Sequence, residues 1–235
     1  KKGINLLDPL DLRLEIPYND EELFWMKASF TVSPQNYTDI YIPVQTSYLF
    51  CNLPEISLFS SLDSTGLASG DTSERAKVAG ITEAVERDAE YSTPFIPDLC
   101  FRIKSDSEEI NSLLDFYNSK GIDFFFQDIT SELGIPVYKC FVYGPDKKIY
   151  KGCSGSLDGK KALLDSLFEV PYPTYNNLPS LKPDMNLRYR RFEDLPDYYS
   201  GIMKKDLFIL EAILCENGIN PIFSEITRPD LEIPV

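Results

Sequence analysis

The sequence contains no histidine. That absence removes serine–histidine and cysteine–histidine dyads, imidazole metal ligands and the side chain that most often serves as a general base near neutral pH. Any chemistry must rest on carboxylates, basic groups, amides or a bound cofactor. The five cysteines, Cys51, Cys100, Cys140, Cys153 and Cys215, form no CxxC pair. They read as reduced buried thiols, not as a zinc site or a disulfide framework. Also missing are a Walker A loop, because no Gly-Lys-Ser/Thr follows a glycine stretch, and a GxGxxG fingerprint. No apolar run approaches the roughly 20 residues of a membrane helix, and the opening Lys-Lys-Gly-Ile-Asn has no signal-like stretch, so a cytoplasmic protein is expected. Basic residues are in deficit, 23 against 37 acidic, and the net charge of -14 repels phosphates and anionic lipid. Neither nucleic acid nor a membrane is an expected partner.

What is present is enough for one substantial core. The chain has 235 residues, 43% apolar and 13% aromatic, which suits a single α/β (α+β) domain over 1–235. Residues 1–52 read as strands and loops broken at Pro17, Pro34 and Pro43, with Ile40-Tyr-Ile-Pro-Val44 as an extended run. The main α/β body follows over 53–235. A glycine-containing segment, Ser64-Thr-Gly-Leu-Ala-Ser-Gly-Asp71, leads into a long helix. Asp71 with Glu74 three residues on fits a capping box, and Ala76, Ala79, Gly80 and Glu83 near one face permit a close approach to another backbone or a ligand.

A supersecondary unit then occurs twice. Gly121-Ile-Asp-Phe-Phe-Phe-Gln-Asp-Ile-Thr130, continuing to Ile135-Pro-Val137, echoes Gly218-Ile-Asn-Pro-Ile-Phe-Ser-Glu-Ile-Thr227, continuing to Ile233-Pro-Val235 with one residue inserted. Amphipathic helices, 108–120 and 205–217, precede the two glycines, which stand where helix C-caps belong. The unit is helix, glycine turn, buried strand, threonine-containing loop, strand. The second copy stops with its last strand barely begun, so the duplicated helix–strand–strand unit is expected to be incomplete.

The constellation that can carry chemistry is Gly80-Ile-Thr-Glu-Ala-Val-Glu-Arg-Asp-Ala89. Glu83, Glu86 and Arg87 fall at i, i+3 and i+4, so two carboxylates and a guanidinium share a helical face. That set suits a hard cation and a phosphate held together, since magnesium takes oxygen ligands and arginine offers a planar fork to phosphate. From spacing alone, a solvated helix face with an i,i+4 ion pair is the simpler reading. The preceding loop offers backbone amides to an anion, although such a loop is more often merely a turn.

The segment from Ser64 to Ala76, continued by Gly80 to Ala89, resembles the stretch of the YcaO family whose usual form is S-T/N-G-L-A-A-G-N-T-x-E-E-A, then G-L-x-E-x-I-E-R-D-A. The similarity extends to Asp128-Ile-Thr with Gly134-Ile-Pro-Val137, to Lys151-Gly-Cys-Ser-Gly155 before a helix over 157–169, and to Ile226-Thr-Arg-Pro-Asp230 with Ile233-Pro-Val235. The resemblance implies a YcaO-like fold and ATP-dependent modification of a peptide backbone amide, by azoline cyclodehydration or thioamidation, with ATP and Mg2+ as cofactors. It implies Glu83 and Glu86 as metal ligands, and Asp71, Arg87 and Glu169 as ATP-binding positions. Implied partners are a peptide or protein substrate, an E1-like peptide-recognition protein or a TfuA-like partner, and a second copy in a homodimer.

The departures from that pattern concern charge. Asp71 replaces asparagine, Arg75 replaces glutamate, Asp165 replaces arginine, and Tyr172 stands at the position of a glutamine. A carboxylate facing phosphate exchanges attraction for repulsion, on the order of 1–3 kcal/mol per lost charged hydrogen bond. Arg75 and Asp165 are also suited to compensate one another as an ion pair. The family's first conserved segment, a Gly-Lys-Gly stretch with its own ExxER helix, is not found. The rest of the cluster therefore comes from other residues or another polypeptide, or the protein is a degenerate scaffold that holds a peptide or partner without turning over ATP.

Overall fold

The computed structural model describes residues 4–48, 58–59, 64–171, 180–182 and 184–235. In chain order its main elements are β1 (Trp25–Ser33), β2 (Asn36–Pro43), α1 (Ser73–Ser92), β3 (Cys100–Lys104), α2 (Glu108–Ser119), β4 (Phe124–Asp128), β5 (Val137–Tyr143), β6 (Ile149–Gly155), α3 (Gly159–Phe168), β7 (Arg188–Arg191), α4 (Met203–Glu216) and β8 (Ile222–Phe223). The chain divides into two compact units, one of residues 1–81 with 200–235 and the other of residues 82–199, the boundary falling within α1. The mixed α/β class expected from the sequence is what is observed.

In the first unit β1 and β2 form an antiparallel hairpin, extended by β8 into the order β2-β1-β8. The extended run read at Ile40–Val44 is thus the end of a longer strand that stops at Pro43, with Val44 opening a 3-10 turn. Ala28, Ile40 and Ile42 make its core, with Phe30 and Ile222 packed against them. The helix start differs from the capping box read at Asp71 and Glu74. The Thr72 hydroxyl accepts the Arg75 amide at 3.2 Å, so Thr72 is the cap and Asp71 stands one residue outside. The small residues of α1 do serve close approach: a Cβ on Gly80 would lie 2.7 Å from the Gly66 carbonyl oxygen. The glycine loop and the first half of α1 are therefore in backbone contact.

In the second unit five strands run in the order β6-β5-β4-β3-β7, antiparallel except for the β3–β7 pair. Phe124-Phe-Phe in β4 and Val137 to Val142 in β5 are buried as continuous runs because both faces of the sheet are covered. On one face Phe101, Phe126, Tyr138 and Cys140 pack with Leu163 and Leu167 of α3, and Leu113 and Tyr117 of α2 close over them. On the other, Phe95 meets Phe125 and Phe141 edge-on. Gln127 straps the chain there, donating to the Pro94 carbonyl and accepting from the Ile96 amide. The helix read from Leu157 starts at Gly159. Asp158 caps it by accepting the Lys160 and Lys161 amides.

The two copies of the repeat are alike in hydrogen bonding. Gly121 and Gly218 both adopt left-handed φ, 69° and 76°. The next amides return to the helix end, Ile122 to Tyr117 and Ile219 to Leu214. Thr130 Oγ1 accepts the Val137 amide at 3.2 Å, and Thr227 Oγ1 accepts the Val235 amide at 3.0 Å across the inserted residue. Four described cysteines are free, with Cys100, Cys140 and Cys153 buried. Cys51 and Tyr172 lie outside the described residues.

Candidate functional site

The second half of α1 carries the candidate site. Ile81, Val85 and Ala89 are buried, Ala84 and Asp88 are exposed, and Glu83, Glu86, Arg87 and Glu90 lie between the two extremes. The i, i+3, i+4 and i+7 spacing therefore lays three carboxylates along the flank of the helix that borders the core. Glu83 and Arg87 pair at 2.8 Å. Glu86 Oε2 accepts the Gly155 amide of β6 at 3.1 Å. Glu90 accepts the Lys151 ammonium at 2.7 Å.

Electrostatically the face is strained in one direction. Burial first, and then the charges of Glu169, Glu83 and Glu90, together push the Glu86 carboxyl up to about 7, against the Gly155 amide, which favours the charged form. Glu169 follows α3 as its C-cap. Its carboxyl is raised too, first by partial desolvation, with Asp165 and Glu90 adding and the Cys153 amide opposing. Glu86 and Glu169 thus sit within each other's fields. Burial also raises the Cys153 thiol beside them, which makes it a poor nucleophile.

The structure brings Glu83, Glu86 and Arg87 onto one face, with Glu169 near enough to act on Glu86. Asp71 lies in the other unit, where it pairs with Arg75 one turn on, at 3.4 Å. Asp165 pairs with Lys161. Arg75 and Asp165 thus each have an i,i+4 partner of opposite charge within their own unit. Sequence reasoning missed Glu90, Lys139 and Lys151. Glu90 was visible as the next i+4 position after Glu86, and Lys139 as a charge inside the apolar run Val137 to Tyr143.

The Glu169 charge raises the Glu86 carboxyl, a repulsion that a divalent cation bound by such carboxylates would relieve. Among the described residues no three Cys, Asp or Glu side chains are placed to hold a metal by themselves. Magnesium is commonly held by only one or two carboxylates, with phosphate oxygens and water completing its coordination.

Comparison with known sequences decides the family. The model described as "YcaO cyclodehydratase, ATP-ad Mg2+-binding" matches residues 5–235. The chain belongs to the YcaO family. It is similar to an uncharacterized protein of Methanothermobacter thermautotrophicus, 25% identical over 252 residues that cover 91% of this chain and 63% of the relative. Among solved structures, a heterocyclase in complex with substrate and cofactor superposes with a TM-score of 0.73 at 22% identity, covering 96% of this chain and 34% of that one. The heterocyclase TruD gives 0.68 at 24% identity, over 89% and 33%. The YcaO protein of Methanopyrus kandleri bound with AMPPCP and Mg2+ gives 0.62 at 17% identity, over 100% and 66%. These structures share the fold. The chain spans less than two thirds of the first relative and about a third of the two heterocyclases. No described helix is long and apolar enough to cross a membrane.

Proposed function

We propose that this chain contributes the Glu83, Glu86 and Arg87 face to a Mg2+·ATP site that activates a peptide backbone amide. The observation that carries the reading is the half-buried Glu86, held by the Gly155 amide and pushed up by Glu169 and its helix neighbours, in a chain of the YcaO family. Glu83 and Glu86 would hold the metal, and Asp71, Arg87 and Glu169 would serve the nucleotide. When bound, Mg2+·ATP supplies the phosphoryl group that converts the amide oxygen into a leaving group, so that phosphate departs in place of water after a nucleophile has added to the amide carbon. A neighbouring Cys, Ser or Thr side chain as nucleophile gives an azoline, and external sulfide gives a thioamide.

The chain's own contribution is electrostatic. Arg87 neutralises Glu83 at rest and can turn its fork to phosphate once a cation takes Glu83. Glu86, raised to about 7, is poised to give up its proton to a metal. No histidine base is needed because the oxygen leaves as phosphate. A peptide or protein is the proposed substrate, delivered by an E1-like peptide-recognition protein or a TfuA-like partner, with a homodimer as the proposed assembly and the cytoplasm as the proposed compartment.

A second reading, a scaffold that binds peptide or partner without turning over ATP, is favoured by the closed pairs Asp71–Arg75 and Lys161–Asp165. The test is Mg2+-dependent ATP consumption by the full-length protein with its peptide and partner, compared with Glu83→Ala combined with Glu86→Ala. The active reading expects turnover to collapse while the melting temperature holds. Equal consumption in the double variant would discard the metal assignment, and no consumption or thermal shift by ATP in the parent protein would favour the scaffold.

A further inference from the structure

Lys139 is a buried cation that makes no ion pair with a carboxylate among the described residues. It stands on β5 at 6% exposure, and its ammonium donates to the carbonyl oxygens of Glu90 and Thr93, both at 2.8 Å. Burial lowers its pKa, with the more distant Glu90 carboxylate and Cys153 working against that and Lys151 adding to it. Burying an ammonium is costly unless its donors are well used. A methionine or leucine would fill the same place in an otherwise apolar strand, so the charge needs a reason.

The reason lies in what it holds. The last carbonyls of a helix have no intrahelical partner and carry the negative end of the helix dipole. Lys139 takes two acceptors there, just past the carboxylate row. One turn earlier, α1 is tied to the sheet a second time, where the Gly155 amide meets Glu86. These two ties differ in kind. The Gly155 tie uses a carboxylate that must turn away if Glu86 is to take a metal. The Lys139 tie uses only main-chain oxygens and takes up none of the carboxylates. A slip of one residue along α1, about 1.5 Å and 100° of rotation, would carry Glu83, Glu86 and Glu90 off the face.

We infer that Lys139 is a positioning residue for the carboxylate face, clamping the end of α1 to β5 so that Glu83, Glu86 and Glu90 keep their places when a divalent cation and phosphate engage them. The inference rests on the Mg2+·ATP reading of that face, but its test does not need turnover. Lys139→Met keeps the length and removes the donors, and Lys139→Arg retains donors and charge.

The full-length protein and both variants are titrated with Mn2+ alone, followed by electron paramagnetic resonance, and with Mg2+·ATP by calorimetry, well below each melting temperature. Charge alone predicts that Lys139→Met binds Mn2+ more tightly, because a nearby cation has gone. Positioning predicts the opposite, a loss of about tenfold in both affinities, with Lys139→Arg recovering most of it. A fall in melting temperature with unchanged or tighter Mn2+ binding overturns the inference. Should Lys139→Met not fold, Lys139→Gln carries the same comparison, since an amide reaches at most one of the two carbonyls. A parent protein that binds Mn2+ but not ATP removes the nucleotide reading and leaves the role of Lys139 to be judged on Mn2+. Parent binding of both, unaltered in the variants, removes Lys139 alone, and binding of neither removes both.

Discussion

The Gly155 amide donates to Glu86 Oε2 at 3.1 Å, and the same glycine has no side chain to keep the helix away. A Cβ there would lie 3.3 Å from Glu86 Cβ and from Val137 Cγ2, and 3.5 Å from the Thr82 carbonyl oxygen. At Gly152, two residues earlier on β6, a Cβ would lie 2.2 Å from the Ser166 carbonyl oxygen and 2.9 Å from the Val170 amide nitrogen. Side chains can shift by tenths of an ångström, whereas the helix backbone behind Gly152 cannot do so cheaply. Gly155→Ala should cost about 1 kcal/mol and Gly152→Ala about 3 kcal/mol or more, measured as the difference in urea midpoint. Equal costs would refute the close backbone contact of α3 with β6.

Glu86 makes the ligand-free protein sensitive to pH. Its carboxyl is raised in the folded state, to about 7 from an ordinary 4.5, so folding favours the protonated form. The sign follows from linkage: stability from this group is greatest at low pH and is lost as pH rises from about 4.5 through about 7. Because the side chain is half-buried, solvent screening reduces the effect to about 1–2 kcal/mol. Glu86→Gln should remove that component, leaving melting temperatures of variant and parent converging near pH 5 and the variant ahead at pH 8. A variant that tracks the parent at every pH would show that Glu86 is not desolvated.

The repeat supplies a prediction at Thr130 and Thr227. Each hydroxyl accepts the amide of the valine that resumes the chain, Val137 or Val235. Val137 is fully buried, whereas the end around Val235 is half-exposed. Replacing threonine by valine leaves the amide unpaired, at a cost of about 1–3 kcal/mol where water cannot reach it. Thr130→Val should therefore destabilise clearly, and Thr227→Val by about 0.5 kcal/mol or less, because water can replace the hydroxyl there. Parity between the two substitutions would argue against this difference in burial.

These contrasts also explain what the sequence disclosed. The repeat was readable because glycine with positive φ and a loop threonine leave marks at fixed offsets from a helix. The ExxER face was readable because helical spacing is regular, and Glu90 belonged to the same arithmetic. The cap at Thr72 was displaced by one residue because Asp71 and Thr72 are both good caps, and only the geometry of the entering glycine loop chooses between them. The tie from Lys139 to the end of α1 could not be read at all. It joins residues 46 and 49 apart, through main-chain oxygens that every sequence possesses.

The charge exchanges at Asp71, Arg75 and Asp165 give the sharpest contrast between an active and a silent site. The structure closes them as two helical pairs, Asp71 with Arg75 and Asp165 with Lys161, and exposed pairs of this kind contribute only about 0.3–0.5 kcal/mol each. Stability therefore does not explain the exchanges, and restoring the common family residues should be nearly neutral for folding. If the site is active as it stands, phosphate is held by groups other than these three, and Asp71→Asn with Arg75→Glu and Asp165→Arg should change Mg2+·ATP affinity by less than about threefold, under 1 kcal/mol. If the exchanges silence it, the triple variant should gain Mg2+-dependent ATP binding that the parent lacks. Calorimetry on the two proteins separates these outcomes, and a parent that binds ATP tightly while the triple variant does not would show that the exchanged charges themselves hold the nucleotide.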